Sequence, residues 1–146
     1  MKVLLPEGAP KDADPIQRFL HRYRTVAVVG LSSNPTRASH RVSSYMQDSG
    51  YRIIPVNPNE REVLGQISYS RLGDVPEPID IVDIFRRSEN VPSVVEDAIR
   101  VGAKLIWMQL GIENDPAAQQ AIAAGIPVVM DCCILIEHRR RRHNLK

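Results

Sequence analysis

Short runs of apolar residues alternate with longer segments in which apolar residues recur every three or four positions. The apolar runs lie at residues 26–29, 53–56, 79–85, 105–108 and 128–130, and each suits a strand buried on both faces of a sheet. Between them, helical spacing predicts helices over residues 39–49, 91–101 and 116–124. Strands that alternate with such helices predict a Rossmann-like, doubly wound α/β fold with a mainly parallel, five-stranded sheet and helices on both faces.

Two features of this pattern are less regular. Pro55 lies inside the second apolar run, and it argues against that strand because proline cannot donate a hydrogen bond to a central ladder. Residues 60–78 lack a clear period. This segment is expected to carry either a short edge strand near residues 63–67 or a long loop.

The two ends of the chain differ in composition from the middle. Residues 1–14 are rich in proline, glycine and charge, which predicts a flexible N-terminal arm. Asp14 and Pro15 then mark the start of a short amphipathic helix over residues 15–24. Residues 15–138 form the predicted single domain, and residues 139–146 form a basic C-terminal tail that begins with four arginines.

Composition narrows the class of protein. An apolar share of 43% and a charged share of 25% are ordinary for a globular domain, and a net charge of +2 does not demand an acidic partner. The adjacent Cys132 and Cys133 argue against a disulfide scaffold and favour a reducing cytoplasm. Because no run approaches the roughly 20 apolar residues of a membrane span, a soluble, cytoplasmic protein is expected.

The loop after the first predicted strand carries residue types that bind phosphate. In an open parallel sheet, ligands bind beyond the carboxyl ends of the strands, where the winding reverses. The first such loop has Gly30, the hydroxyls of Ser32, Ser33 and Ser39, and the guanidinium of Arg37. This loop is expected to present free backbone N–H groups at the start of a helix. Together with an arginine suited to bidentate contacts, they favour a phosphate site over a plain turn.

The same region departs from the dinucleotide fingerprint. That fingerprint needs three spaced glycines and an acidic residue at the end of the second strand. Here Gly30 is followed by Ser32 and Pro35, and the second strand ends at Val56 and Asn57 without a carboxylate. NAD is therefore disfavoured. An arginine in the loop suits a 2′-phosphate, so an NADP-dependent, oxidoreductase-like protein stays open as an alternative.

Four short motifs at the ends of predicted strands together resemble a known family. They are Val28-Val29-Gly30-Leu31-Ser32-Ser33-Asn34-Pro35, Val56-Asn57-Pro58, Trp107-Met108-Gln109-Leu110-Gly111, and Met130-Asp131 with Cys133. In this order they resemble the small CoA-binding protein family. That family is similar to the CoA-binding domain of the succinyl-CoA synthetase α subunit, in free-standing form. The resemblance covers residues 25–138.

The resemblance implies a site for coenzyme A at the ends of four strands. Residues 30–37 would hold the phosphates of CoA, and the remaining residues would line the site after the second, third and fourth strands. The implied residues are Gly30, Leu31, Ser32, Ser33, Asn34, Arg37, Ser39, Val56, Asn57, Pro58, Phe85, Arg86, Met108, Gln109 and Gly111. CoA or an acyl-CoA is the expected ligand, bound in a non-catalytic or regulatory role.

Catalysis does not follow from the resemblance. The phosphorylated histidine of the synthetase belongs to a further domain, and His21, His40, His138 and His143 match no motif of the family. Cys132 stands where the family tends to have a basic residue. The sequence shows neither a catalytic constellation nor the His and Cys spacing of a metal site, so an enzyme is not expected.

The basic run at residues 138–143 supports a further hypothesis, an interaction or adaptor module that uses this tail. Charge of this density can bind nucleic acid, but no aromatic residues interleave here, and a solvated tail is favoured. A protein partner stays open. Cys133 is interpreted as a small buried apolar side chain rather than a thiol that exchanges with CoA.

Overall fold

The computed structural model describes residues 1–145. In chain order its elements are β1 (Lys2–Leu4), α1 (Pro15–Arg22), β2 (Thr25–Val29), α2 (Ala38–Asp48), β3 (Arg52–Val56), β4 (Glu62–Val63), β5 (Gln66–Ile67), β6 (Ile81–Ile84), α3 (Val91–Arg100), β7 (Leu105–Met108), α4 (Asp115–Ala123), β8 (Val128–Met130) and α5 (Ile134–Arg141). Single 3-10 turns lie at Leu72–Asp74, Ser88–Asn90 and Arg142–Asn144.

The five predicted strands form a parallel sheet that gains a sixth, antiparallel strand. Its order is β1-β8-β7-β6-β2-β3, and β1 is the one strand of this sheet, as described for residues 1–145, that runs antiparallel to its neighbour. The parallel α/β fold is confirmed, while the expected number of five strands is corrected to six. Pro55 lies opposite Val28 in the outermost strand β3, where a missing N–H costs the sheet little.

Helices cover both faces of the sheet, as the alternation of strands and helices predicts. Alternate side chains of each buried strand point to opposite faces: Val29 joins the apolar cluster under α3 and α4, whereas Val28 joins the cluster under α1, α2 and α5. Trp107 is 0% exposed in the second cluster. Each face therefore has its own core.

The winding of the sheet reverses between β2 and β6. The chain passes from β2 through α2 to β3 on one side, then crosses back to place β6 on the other side of β2. Helices on opposite faces leave a crevice at such a reversal, beyond the carboxyl ends of the strands. The ends of β2, β3 and β6 thus bound the expected site.

The N-terminal residues belong to the sheet. Lys2, Val3 and Leu4 pair with Met130, Val129 and Val128, respectively. At the other end of the predicted arm, Asp14 caps α1 by accepting a hydrogen bond from the Gln17 N–H at 3.3 Å. The prediction of a flexible arm over residues 1–14 is therefore wrong for residues 2–4, which form β1, and for Asp14, which caps α1.

The predicted basic tail is largely helical. Residues 139–141 complete α5, so the predicted domain boundary after residue 138 falls inside a helix. The Arg141 guanidinium bonds the Asp14 carboxylate at 2.8 Å and the Glu137 carboxylate at 2.9 Å, and Leu145 is 5% exposed. In residues 1–145, no helix has the length and apolar character needed to cross a membrane.

The irregular segment after β3 folds into a small hairpin. Strands β4 and β5 pair antiparallel, and their turn places Leu64 and Gly65 at φ values of 54° and 75°. The chain then returns to β3, where the Asn57 N–H donates to the Tyr69 carbonyl at 2.8 Å. The short-strand alternative is closer to the structure, although the segment forms two strands.

Candidate functional site

Two backbones approach closely at the reversal of the sheet. Gly30 follows β2 with a φ of +90°, and a Cβ at this position would lie 2.4 Å from the Phe85 carbonyl oxygen. Because an L-residue tolerates neither that φ nor that distance, only glycine lets the chain leave β2 beside the end of β6. The predicted importance of Gly30 therefore has a steric cause.

Several backbone N–H groups of the loop at residues 30–39 already donate to side chains of the protein. The Ser32 N–H donates to Ser39 Oγ at 3.0 Å, and the Asn34 N–H donates to Ser32 Oγ at 3.0 Å. The Ser33 N–H donates to the Glu60 carboxylate at 2.6 Å. The expectation of free backbone donors in this loop is thus wrong for these three residues, whose partners shape the loop.

The helix that follows the loop begins without a side-chain cap. Arg37 is the N-cap residue of α2 and forms no capping hydrogen bond through its side chain. Asp14 and Asn114, by contrast, cap α1 and α4. Ala38 and Ser39, in the first turn of α2, line a cleft. The positive end of the α2 dipole therefore lies at this cleft.

This cleft, called the loop cleft below, has a volume of about 450 Å³. All of its lining residues except Ala38 belong to the predicted site. The lining residues are Gly30, Ser32, Arg37, Ala38, Ser39, Asn57, Phe85 and Arg86. The sequence prediction therefore converges on one place in the fold, at the ends of β2, β3 and β6.

One lining side chain of the loop cleft is held by hydrogen bonds within the protein, and two others carry positive charge. Asn57 is 8% exposed; its Nδ2 donates to the Leu31 carbonyl at 3.0 Å, and its Oδ1 accepts from the Asn59 N–H at 3.0 Å. Across residues 1–145, neither Arg37 nor Arg86 takes part in an ion pair. Both guanidinium groups are therefore available to an anionic ligand.

A second cleft adjoins the first at Arg86, which lines both. This Pro58 cleft has a volume of about 320 Å³, with strand-end and α3 side chains on one side and residues 70–72 on the other. Its lining residues are Val29, Val56, Pro58, Ser70, Arg71, Leu72, Arg86, Asn90, Ser93, Val94 and Asp97. Residues 70–72 are not among the predicted site residues, because their segment carries no periodic signal or recognisable motif in the sequence.

Several predicted residues lie outside both clefts. Leu31 and Met108 are each 0% exposed and belong to the two cores. The Gly111 N–H donates to Asp131 Oδ1 at 2.7 Å, and Gln109 is 3% exposed. These four residues support the strand ends rather than line the clefts. Ser33 and Asn34 are exposed in the loop itself.

A buried carboxyl group lies beside Gln109. Asp83 is 1% exposed and accepts a hydrogen bond from Gln109 Nε2 at 2.6 Å. Burial raises the pKa of Asp83 to about 7, against the opposing effect of the Gln109 hydrogen bond. Asp83 lines neither cleft, so its protonation bears on the fold beneath the site.

The cysteines differ in their surroundings. Cys132 is 3% exposed, and burial raises the pKa of its thiol to about 12, which leaves it protonated at neutral pH. Cys133 is partly buried at the N-cap of α5. In the part of the chain that the structure describes, no three His, Cys, Asp or Glu side chains are grouped as a metal site would require.

The doubly wound sheet and its glycine-shaped crevice define a Rossmann-like α/β domain with paired clefts at the strand ends. Comparison with known families then gives a more specific assignment. The sequence model described as CoA binding domain matches residues 24–139. The chain belongs to this CoA-binding domain family.

Relatives include both stand-alone proteins and parts of larger ones. The uncharacterized protein YneT of Bacillus subtilis is 47% identical over 123 residues, which span 84% of this chain and 91% of that protein. A hypothetical protein from Pyrococcus horikoshii is similar in structure, with a TM-score of 0.85, 36% identity and coverage of 96% and 98% of the two chains. The ADP-forming acetate–CoA ligase of Methanocaldococcus jannaschii is 26% identical over 60% of this chain, but only 12% of the ligase.

Proposed function

We propose that this protein binds coenzyme A, or an acyl-CoA, across the loop cleft and the Pro58 cleft. The family supports CoA as the ligand, and the clefts supply groups that suit its parts. Binding occurs without catalysis by this domain, in a regulatory or carrier role.

The observation that carries this proposal is the set of cationic groups at the loop cleft. The uncapped start of α2 meets the unpaired side chains of Arg37 and Arg86 there. A helix N-terminus attracts phosphate through its dipole and its first backbone N–H groups, and guanidinium groups bind phosphate oxygens in pairs. We assign the phosphates of CoA to this cleft.

The Pro58 cleft suits the adenine ring. Val29, Val56 and Pro58 give it an apolar wall, and the side chains of Leu72 and Val94 also line it. Arg86 borders both clefts, so one guanidinium can contact a phosphate while its flat surface borders the base. We assign the adenosine end of CoA to this cleft, which residues 70–72 and α3 line.

The side chains near the clefts support binding rather than chemistry. Asp83 lies under the sheet end at 1% exposure, and Cys132 is a protonated, buried thiol. A general base needs a carboxylate or imidazole within reach of the reacting proton, but the lining of the loop cleft offers hydroxyl, amide and guanidinium groups. The carboxylate that lines the Pro58 cleft, Asp97, is paired with Arg71 and Arg100. A ligase activity like that of the longer relatives is not part of the proposal.

Titration calorimetry with CoA, NADP and NAD as parallel ligands tests the proposal. We expect saturable binding of CoA at micromolar affinity or better, about −8 kcal/mol, and no binding of NAD. Binding of NADP alone would overturn the assignment and favour a redox cofactor in the same clefts.

Two arginine variants test the position of the site. Arg37→Ala and Arg86→Ala should each weaken CoA binding by about tenfold or more, since charge-assisted phosphate contacts contribute roughly 1.5–3 kcal/mol. Arg87→Ala is the matched control, because Arg87 is exposed beside Arg86 and lines neither cleft. Equal losses in all three variants would show only a general effect of charge, and would remove Arg37 and Arg86 from the site.

A further inference from the structure

One backbone N–H of the loop after β2 is bound by an anion that belongs to the protein itself. The Ser33 N–H, in the loop after β2, donates to Oε2 of Glu60, in the loop after β3, at 2.6 Å. Both loops lie at the carboxyl edge of the sheet. A carboxylate of this chain thus occupies a backbone donor of the loop to which phosphate binding is assigned.

Glu60 differs from the other partners of this loop by its charge. The N–H groups of Ser32 and Asn34 donate to the neutral hydroxyls of Ser39 and Ser32. The Ser33 N–H alone among these three has an ionisable partner. The backbone hydrogen bond from Ser33 lowers the pKa of Glu60, so the contact stabilises the carboxylate form.

We propose that Glu60 is a resident anion of the loop, which a phosphate of bound CoA displaces from the Ser33 N–H. This inference rests on the proposed function and adds a residue that sets affinity and selectivity. A ligand must break the contact between Ser33 and Glu60 before it gains its own. Glu60 therefore disfavours ligands with one weakly held phosphate and tolerates ligands whose several phosphates also meet Arg37 and Arg86.

Electrostatic repulsion acts in the same direction. After displacement, the Glu60 carboxylate stays near the Ser33 loop and repels a phosphate bound there, because the Asn57 turn holds its backbone: the Glu60 N–H donates to the Asn57 carbonyl at 3.2 Å. A glutamine at position 60 would remove the repulsion and weaken the competition, because its amide oxygen still accepts a hydrogen bond but without charge assistance. Glu62, two residues further on, is exposed and provides a reference for the effect of removing one negative charge alone.

The first experiment is calorimetric titration of CoA, and separately of pyrophosphate, into wild type, Glu60→Gln and Glu62→Gln. The Glu62 side chain forms neither an ion pair nor a hydrogen bond within residues 1–145. Glu62→Gln therefore reports the long-range effect of removing one negative charge. We expect Glu60→Gln to bind both ligands about three- to tenfold more tightly than wild type, by loss of a charge-assisted competitor. The expected change in Glu62→Gln is less than about twofold.

A second measurement tests the contact without any ligand. In wild type, the amide proton of Ser33 should shift in NMR spectra as pH falls and Glu60 takes up a proton, and this shift should vanish in Glu60→Gln. A Ser33 amide that does not respond to this titration would overturn the proposal, and so would equal or weaker ligand binding by Glu60→Gln.

The two proposals fail in different ways. If neither wild type nor Glu60→Gln binds CoA, but Glu60→Gln binds pyrophosphate more tightly than wild type, the CoA assignment is refuted and the resident-anion proposal is supported. If wild type binds CoA and Glu60→Gln binds it no better, the resident anion fails and the CoA assignment stands. Binding of CoA by Glu60→Gln alone would support the resident anion in its strongest form.

Discussion

Replacing Gly30 with alanine tests whether the crevice depends on the close approach of β2 and β6. The substitution adds one methyl group at the end of β2, directly against the backbone at Phe85. The Phe85 N–H donates to the Val29 carbonyl at 2.9 Å, and the Gly30 N–H donates to the Val56 carbonyl at 2.9 Å. Backbone hydrogen bonds thus hold both sides of the contact, and neither side can move freely.

The expected magnitude follows from two costs. A positive φ of +90° costs an alanine about 1–3 kcal/mol. The added Cβ also lies 2.4 Å from the Phe85 oxygen and 3.2 Å from its carbonyl carbon, so the end of β6 must shift. We expect a total loss of about 3 kcal/mol or more, and a fall in Tm of about 6–12 °C.

Two assays separate the effect on the fold from the effect on the site. Urea denaturation followed by circular dichroism gives the free energy of unfolding, and calorimetric titration with CoA gives the affinity at a temperature where the variant stays folded. Because the shift moves Phe85 and Arg86, which line the loop cleft, we expect the folded variant to bind CoA at least about tenfold more weakly.

Gly50→Ala is the matched control for this prediction. Gly50 follows α2 with a φ of +100°, and nothing lies within 4 Å of a Cβ built there. Its substitution carries the conformational cost without the clash, and it should cost about 1–2 kcal/mol and leave CoA affinity unchanged. If Gly30→Ala destabilised the protein no more than Gly50→Ala and bound CoA normally, the argument from close approach would be refuted.

Two further predictions concern buried ionisable groups. Asp83→Asn should raise the free energy of unfolding by a few kcal/mol at about pH 8, but not at about pH 4. Folded Asp83 has a pKa of about 7 instead of 3.8, so it keeps a proton that the unfolded chain releases. The wild-type protein therefore loses stability as pH rises between these two values, whereas the variant does not. Arg141→Met should lower the free energy of unfolding by about 2 kcal/mol, because it leaves Glu137, whose side chain is 6% exposed, with only the exposed Arg140 as a partner. Urea denaturation measures both effects.

Each of these predictions has its own check. For Asp83, a stability difference between variant and wild type that is the same at both pH values would exclude the buried proton as its cause. For Arg141, the control is Arg139→Met, at an exposed position of the same helix, which should change stability by about 0.5 kcal/mol or less. Similar losses at both arginines would point to a general effect on α5 instead of the contact with Glu137.

The parallel sheet could be predicted because its signal is local. Each strand buried on both faces needs an apolar run, and such runs at β2, β7 and β8 are visible in the sequence to within a residue or two. The connecting helices follow from their period and from the glycines that end them. Local patterns of this kind do not depend on distant parts of the chain.

The ends of the chain could not be predicted because distant contacts determine them. Strand β1 has three residues and exists by pairing with β8, more than 120 positions away. The end of α5 carries consecutive arginines that read as a solvated tail, but Arg141 bonds Asp14, the cap of α1. Neither contact leaves a periodic trace in the sequence.

The sequence predicts which loops lie together at the strand ends better than it predicts which side chains line the clefts. The reversal of winding selects the strand ends, which brings Gly30, Asn57 and Arg86 together at one cleft. The partner of each polar side chain depends on strand register, however. Gln109 directly follows β7, and its amide group reaches Asp83 on the neighbouring strand β6, so its side chain takes part in a buried hydrogen bond that the sequence does not reveal.

The polar groups at the two edges of the sheet differ in how they are bound. At the amino edge, Asp80 accepts hydrogen bonds from the N–H groups of Arg24 and Thr25 at 3.0 and 3.1 Å and pairs with Lys104 at 3.2 Å. Burial opposes its ionisation, yet these partners hold the pKa of Asp80 below its usual value.

At the carboxyl edge, the corresponding polar groups are not all bound to the fold. Arg37 and Arg86 are unpaired within residues 1–145, and the Ser33 N–H has an exposed carboxylate as its partner, which a ligand can replace without opening the core. Substitutions at Asp80 should therefore change stability, and those at Arg37, Glu60 or Arg86 should change affinity. Gly30 belongs to both groups, because its backbone contact joins the sheet and the cleft at the same point.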